Sequence, residues 1–440
     1  MSTPEEIWTA RLHAAVDDHP GALTFDVPSY VAAGRKRARR NRAAAVLATT
    51  AAVALVAAGA ALTTGGTRTE PAQPAAPRLP STRTLGSDTN GWVAVDTWQG
   101  GGEIYLLRPG EDARRLEVAG SAATTEACPA WSPDGTRLLF GRVSPTSDTS
   151  PIDAELVIVP VDQSGTTGTP TVIALDGFDV ITGHDVHPCG IWAPDGRWVA
   201  LAGDGEVWVV DTQTGTIRRL PDLRPSDLEW RPGTDELAIA GDMGPSRAAR
   251  TLSTPVSVYS VATGELRHLG SVEAAHITWS PDGATLAYTG GETDPPDLWL
   301  VDGDGANERL LFAEAGGNLH GIGLVWSPTG DRIAYQRLAG GGERHEVVLV
   351  DVADKSETVI EAPEADGQLW YPFTVSWSPE GTTLLYAAWT EDDETLPGGV
   401  IAVSADDPSN VTVLTDAIDP VPNYDSHQWT PTQMWARRPG

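Results

Sequence analysis

Trp131–Gly135 reads W-S-P-D-G, and the phrase returns along the chain with small changes. W-A-P-D-G begins at Trp192, W-S-P-D-G again at Trp279 and W-S-P-E-G at Trp377. Looser copies are W-R-P-G at Trp230, W-S-P-T-G at Trp326 and W-T-P-T at Trp429, so the marks fall 61, 38, 49, 47, 51 and 52 residues apart. Spacing of that order marks stacked supersecondary units. Each residue of the phrase has a mechanical meaning. The prolines (Pro133, Pro194, Pro281, Pro328, Pro379) pre-set φ at the second position of a tight turn. The aspartates (Asp134, Asp195, Asp282) accept hydrogen bonds from nearby amides, and the glycines (Gly135, Gly196, Gly283, Gly381) supply the positive φ that ends the turn.

Working outward, each turn is followed by a short apolar strand, as at 137–141, 197–202, 236–240, 285–289, 332–336 and 383–387. Further runs ending in turn residues supply third strands, among them E-V-W-V-V-D (206–211), D-L-W-L-V-D (297–302) and E-V-V-L-V-D (346–351). Polar loops then lead to fourth strands such as I-R-R-L (217–220). Four strands per unit, repeated with no helical periodicity between them, predict an all-β chain built as a β-propeller. Each sheet hides its faces against two neighbours.

The W-S-P-D-G unit resembles the TolB-type variant of the WD-like propeller repeat, over residues 91 to about 437. That resemblance implies a binding platform more than a particular chemistry, because the fold hosts many partners. Seven blades are expected, with the six usual in TolB-like proteins as the alternative. Residues 91–118 supply later strands of a blade without a Trp–Pro turn of their own, and the chain ends near Trp429 with what reads as a first strand. One composite blade joining the two ends is therefore expected, which protects the ring from an open edge. Residues 433–438 read as a second strand that would duplicate the one at Trp92.

Sixty acidic residues against 30 basic ones give a net charge of −30 over 440 residues, which a phosphate backbone repels, so the propeller is not expected to bind nucleic acid. Two cysteines exclude a disulfide-framework miniprotein. The N-terminal part reads differently. A leader over 1–42 carries Ile7, Trp8, Leu12, Ala15 and Val16 at helical spacing, followed by the basic run R-K-R-A-R-R-N-R at 35–42. Residues 43–64 are uncharged, mostly Ala, Val and Leu, and long enough to span a membrane as one helix. The basic bias places the leader in the cytoplasm and the propeller outside. A cleaved signal peptide, with Ala58-Gly59-Ala60 as its processing site, is the competing reading. Residues 65–84 form a Pro-rich stalk, and 85–440 form the propeller. Small membrane-anchored regulators of high-GC bacteria carry a similar arrangement of leader, basic run and Ala-rich anchor.

Cys128 and Cys189 each stand three residues before a repeat Trp, equivalent positions on adjacent blades, and outside a membrane this placement invites a disulfide. The same register continues through Asp227, His276 and Thr374, which strand alternation could aim into the axial channel as ligand contacts or as polar lining around water. Two before each Trp stand Leu228, Ile277, Leu324 and Val375, suited to packing between blades. His184, His187 and Cys189 lack the further spaced pair of a structural zinc site. Asp302, Asp304 and Asn307 superficially resemble a calcium loop without its distal Glu, so a structural turn is the preferred reading and any calcium binding would be weak. No G-x-S-x-G elbow and no phosphate-binding G-x-x-x-x-G-K loop occurs, and neither catalytic residues nor a cofactor or metal are expected. The resulting expectation is a non-enzymatic, single-pass membrane protein whose extracytoplasmic propeller binds a protein or an envelope component. The alternatives are a transmembrane regulator whose leader holds a sigma-factor-like partner, or a carbohydrate or small-molecule binder using the channel.

Overall fold

The computed structural model describes residues 90–437 apart from 97–101, 109–110, 119–123, 145–153, 179–187, 204, 244–253, 291–296, 314–323, 340–343, 361–363, 366–367, 391–398 and 415–434. The described residues all fall in one compact unit, Arg78–Gly440. The expected leader, transmembrane helix and stalk over 1–84 lie outside the described residues. Among the described residues no helix is long and apolar enough to cross a membrane.

Seven antiparallel sheets follow one another along the chain. Blade 2 is typical: Thr125–Trp131, Arg137–Val143, Ala154–Pro160 and Thr171–Ala174 pair in that order. Blades 3 to 7 repeat it, with inner strands Gly190–Trp192, Leu223–Trp230, His276–Trp279, Val325–Trp326 and Gln368–Trp377. Blade 7 gains a short fifth strand, Glu364–Ala365, which folds back on Gln368. Blade 1 is composite: Asn90–Asp96, Ile104–Leu107 and Arg114–Arg115 come from the beginning of the unit, and Trp435–Arg437 pairs with Asn90–Asp96 as the innermost strand. The blade count is therefore seven and not six. The closing strand is Trp435–Arg437, so the reading of 433–438 as a duplicate second strand is corrected. Trp429 lies outside the described residues. Three residues suffice for closure because the partner strand Asn90–Asp96 is already held on its other side by Ile104–Leu107.

The turns obey the local logic of the phrase. In blade 2 the Gly135 amide donates to the Ser132 carbonyl at 2.8 Å, Gly135 takes φ of 68°, and the Ser132 amide donates to the Arg137 carbonyl at 2.9 Å. The Asp134 carboxylate accepts from the Ser132 hydroxyl at 2.6 Å and from the Thr136 amide at 3.1 Å. The looser copy in blade 4 closes the same length of loop differently. Gly233, one place earlier, takes φ of 72° after Pro232, and Thr234 donates to Arg231 at 3.3 Å.

The core is not central. It consists of seven apolar seams, one between each pair of blades, because side chains alternate between the two faces of every strand. Leu138 and Phe140 meet Trp92 and Leu106 of blade 1, whereas Leu139 between them meets Trp192 and Leu201 of blade 3. Leu228, Ile277, Leu324 and Val375, expected to pack between blades, are all buried in such seams. In three blades the motif Trp adds a directed bond. Its indole N–H donates to the carbonyl of the residue preceding the Trp of the previous blade: Trp192 to Ala130 at 3.1 Å, Trp230 to Ile191 at 3.1 Å and Trp377 to Val325 at 3.3 Å. Arginines flanking a turn clamp the next blade. Arg137 lies 4.7 Å over the Trp192 ring while bonding the Gly196 carbonyl at 2.7 Å, and Arg231 lies 4.9 Å over Trp279 while bonding the Gly283 carbonyl at 2.7 Å.

Gly283 tests this packing. It takes φ of 67°, and a Cβ there would stand 2.6 Å from the Pro232 carbonyl oxygen of the preceding blade. Gly283→Ala is expected to cost about 2–3 kcal/mol, since left-handed strain and a backbone collision add. Gly215→Ala, with φ of 72° and open space around it, should lose only about 1 kcal/mol. Urea unfolding of both variants checks the difference, and equal losses would show that the inter-blade approach carries no weight.

Candidate functional site

Six inner strands bring their Trp–Pro turns to one end of the axis, where they line a cavity of about 450 Å³. The walls are mainly indole and pyrrolidine rings: Trp131, Trp192, Trp230, Trp279, Trp326 and Trp377 with the prolines two residues after each. The turn tips Pro133, Pro281 and Pro328 are exposed around it. Between the rings stand the residues immediately before the tryptophans, Ile191, Glu229, Thr278 and Val325.

Glu229 is the one ionisable group among these lining residues. Burial pushes its carboxyl well above the usual carboxylate range, and the charge of Asp227, two residues back, pushes the same way. The residue is half-buried. Walls of indole and pyrrolidine rings solvate a charge poorly, so desolvation by the surrounding protein governs the carboxyl. One turn carboxylate outside the cavity behaves oppositely. Asp282 is held below the usual range by the Ser280 hydroxyl, at 2.6 Å, and the Ala284 amide.

The register predicted to face the channel is placed otherwise. Asp227 and His276 are not among the cavity-lining residues. Their side chains approach each other at 3.8 Å between blades 4 and 5, each 18 % exposed. Asp227 also accepts from the amides of Leu228, at 2.8 Å, and Ile277, at 2.9 Å, tying the two blades together. Of Thr374 only the strand backbone is described, so its predicted contact falls outside the described side chains. Alternation puts the residue three before Trp and the residue one before it on the same strand face, and it is the latter that reaches the cavity. Glu229 escaped sequence reading for that reason, although a lone acid in the column Ala130, Ile191, Glu229, Thr278, Val325, Ser376 was available as a signal.

Cys128 and Cys189 are joined by a disulfide between blades 2 and 3, their Cα atoms 5.1 Å apart. Cys128 lies in the left-handed region, φ 59°, and its amide donates to the Asp96 carboxylate of blade 1 at 3.1 Å. His184 and His187 lie outside the described residues, and the disulfide occupies the Cys189 sulfur that a zinc site would need. In the loop at 302–307 the Asn307 amide nitrogen donates to Asp302 at 2.7 Å and the Ala306 amide to Asp304 at 3.0 Å, so these carboxylates hold the turn itself. Among the described residues no group of three or more potential metal ligands is assembled.

Seven four-stranded units, one of them carrying an extra strand, stacked through apolar seams around an axial cavity define a seven-bladed β-propeller. No family model matches the chain. It is 25% identical over 205 residues to NHL repeat-containing protein 2 of Gallus gallus, a match covering 45% of this chain and 26% of the relative's length. Among solved structures it resembles a prolyl endopeptidase, with a TM-score of 0.50, 13% identity, and coverage of 74% of this chain and 50% of that one. It also resembles TolB from Acinetobacter baumannii, with a TM-score of 0.45, 15% identity, and coverage of 80% and 68% respectively. At such identities the likeness is one of fold.

Proposed function

We propose that this chain is a non-enzymatic binding platform, anchored in a membrane by residues 43–64, whose propeller presents its Trp–Pro face to a protein or cell-envelope partner on the extracytoplasmic side. The observation that carries the reading is the convergence of six Trp–Pro turns on one cavity of about 450 Å³. A concavity of rigid rings rimmed by exposed proline turn tips offers contact at little conformational cost. It supplies contact and a single acid, a set suited to holding a group in place. The basic run at 35–42 beside 22 uncharged residues supports the anchor and its orientation.

The test compares photo-crosslinking side chains at two sites in the full-length protein in its native membrane. One is Glu380, on the turn of blade 7; the other is Val172, 44% exposed on the outer strand of blade 2. A discrete adduct formed from position 380 and missing from position 172 is the expected result. Adducts from both positions alike, or from neither, would end the platform reading.

A further inference from the structure

We infer that the cavity takes up an organic cation, a protonated alkylamine or the same group at the end of a lysine side chain, with Glu229 as its counter-charge. The inference rests on the platform reading and specifies what its cavity holds.

Elsewhere in this propeller, several buried carboxylates meet an arginine. Glu126 meets Arg142 at 2.8 Å, Glu346 meets Arg337 at 3.1 Å and Asp211 meets Arg197 at 2.5 Å. Glu229 has no such partner: among the described residues nothing but burial and the like charge of Asp227 acts on its carboxyl. Arg231, two residues on, is committed elsewhere, to Glu236 at 2.7 Å, to the Gly283 carbonyl and to the face of Trp279. His276, from the neighbouring blade, faces Asp227. An acid confined without a cation is costly, and a bound cation removes that cost.

The surroundings fit an ammonium group on an apolar stem. Six indoles line the cavity and give an apolar stem rings to pack against. Its volume of about 450 Å³ accepts a six-carbon amine with room for bridging water.

Binding carries a proton signature. The empty site favours the protonated Glu229 carboxyl, whereas a bound ammonium favours the carboxylate, so uptake releases a proton and affinity rises with pH until the empty carboxyl is itself ionised. The charge of Asp227 acts against ionisation of Glu229, and the His276 ring stands 3.8 Å from Asp227. Among the described residues no other ionisable group lines the cavity.

Calorimetric titration of the full-length protein with n-hexylammonium chloride, n-hexanol and an acetylated tripeptide bearing one lysine tests the inference. The expected result is one-to-one binding of hexylammonium that weakens at least tenfold in Glu229→Gln, together with a hexanol response the substitution leaves unchanged. The wild-type heat should vary with the ionisation enthalpy of the buffer, and affinity should rise with pH. The pH series needs no variant, so it decides even if the Gln chain folds poorly. Preference for the peptide assigns the cation to a partner's lysine; preference for the free amine assigns it to a small ligand. Equal binding of amine and alcohol, an affinity indifferent to pH, or no binding at millimolar concentration overturns the inference. Rim crosslinks that persist without amine binding would leave the platform standing and remove only the cation; amine binding without rim crosslinks would do the reverse.

Discussion

Replacing Cys128 and Cys189 together by serine is expected to lower stability by about 4 kcal/mol. The bridge spans 61 residues of sequence, and constraining a loop of that length in the unfolded chain contributes about that amount in the chain-entropy account. The loss should be local in origin and global in effect. Cys128 also receives the carboxylate of Asp96 on its amide, so blades 1, 2 and 3 are tied at one place. Loosening Cys128 weakens the contact beside the seam where the two ends of the propeller meet. Guanidinium unfolding of the oxidised wild type and the double variant, monitored by tryptophan fluorescence, measures the change. A loss below about 1 kcal/mol would mean that the seven seams hold the ring without the bridge.

Trp192→Ala should be nearly as damaging, at about 3–5 kcal/mol. Trp192 is 1% exposed and fills the seam between blades 2 and 3 with Leu139, Leu156 and Trp208. Its removal leaves a cavity, strips the ring that Arg137 covers, and abandons the Ala130 carbonyl that its indole engages. Trp192→Phe separates these contributions. It keeps most of the volume and loses the hydrogen bond, so a cost of about 1–2 kcal/mol is expected. Denaturant midpoints of the two variants give the comparison, and a phenylalanine as harmful as the alanine would assign the effect to the bond and not to the packing.

The blade count and the strand order were legible because the turn phrase is a local instruction. Pro133, Asp134 and Gly135 determine a hairpin connection from within five residues, and the same residue types do so again at Trp192 and Trp279. The looser blade 4 copy remained readable because Pro232 and Gly233 close an equivalent loop by another turn. What could not be read depends on distance through space. Trp435–Arg437 is a strand because Asn90–Asp96 offers it an edge, and nothing in those three residues announces the pairing. The extra strand Glu364–Ala365 likewise exists only against Gln368. At the site, strand alternation named the correct face, but the choice between residues three and one before the Trp depends on where the inner strands converge. Asp227 and His276 therefore proved to be an inter-blade contact, and Glu229, in the least regular copy of the phrase, holds the cavity.

The composite blade has a consequence for synthesis. Asn90–Asp96 leaves the ribosome early, whereas the segment that completes its sheet, Trp435–Arg437, is made after all six other blades. Throughout translation the nascent chain thus carries an unfinished sheet that can pair with foreign strands, a hazard that a folding helper or rapid passage through a translocation pore would have to contain.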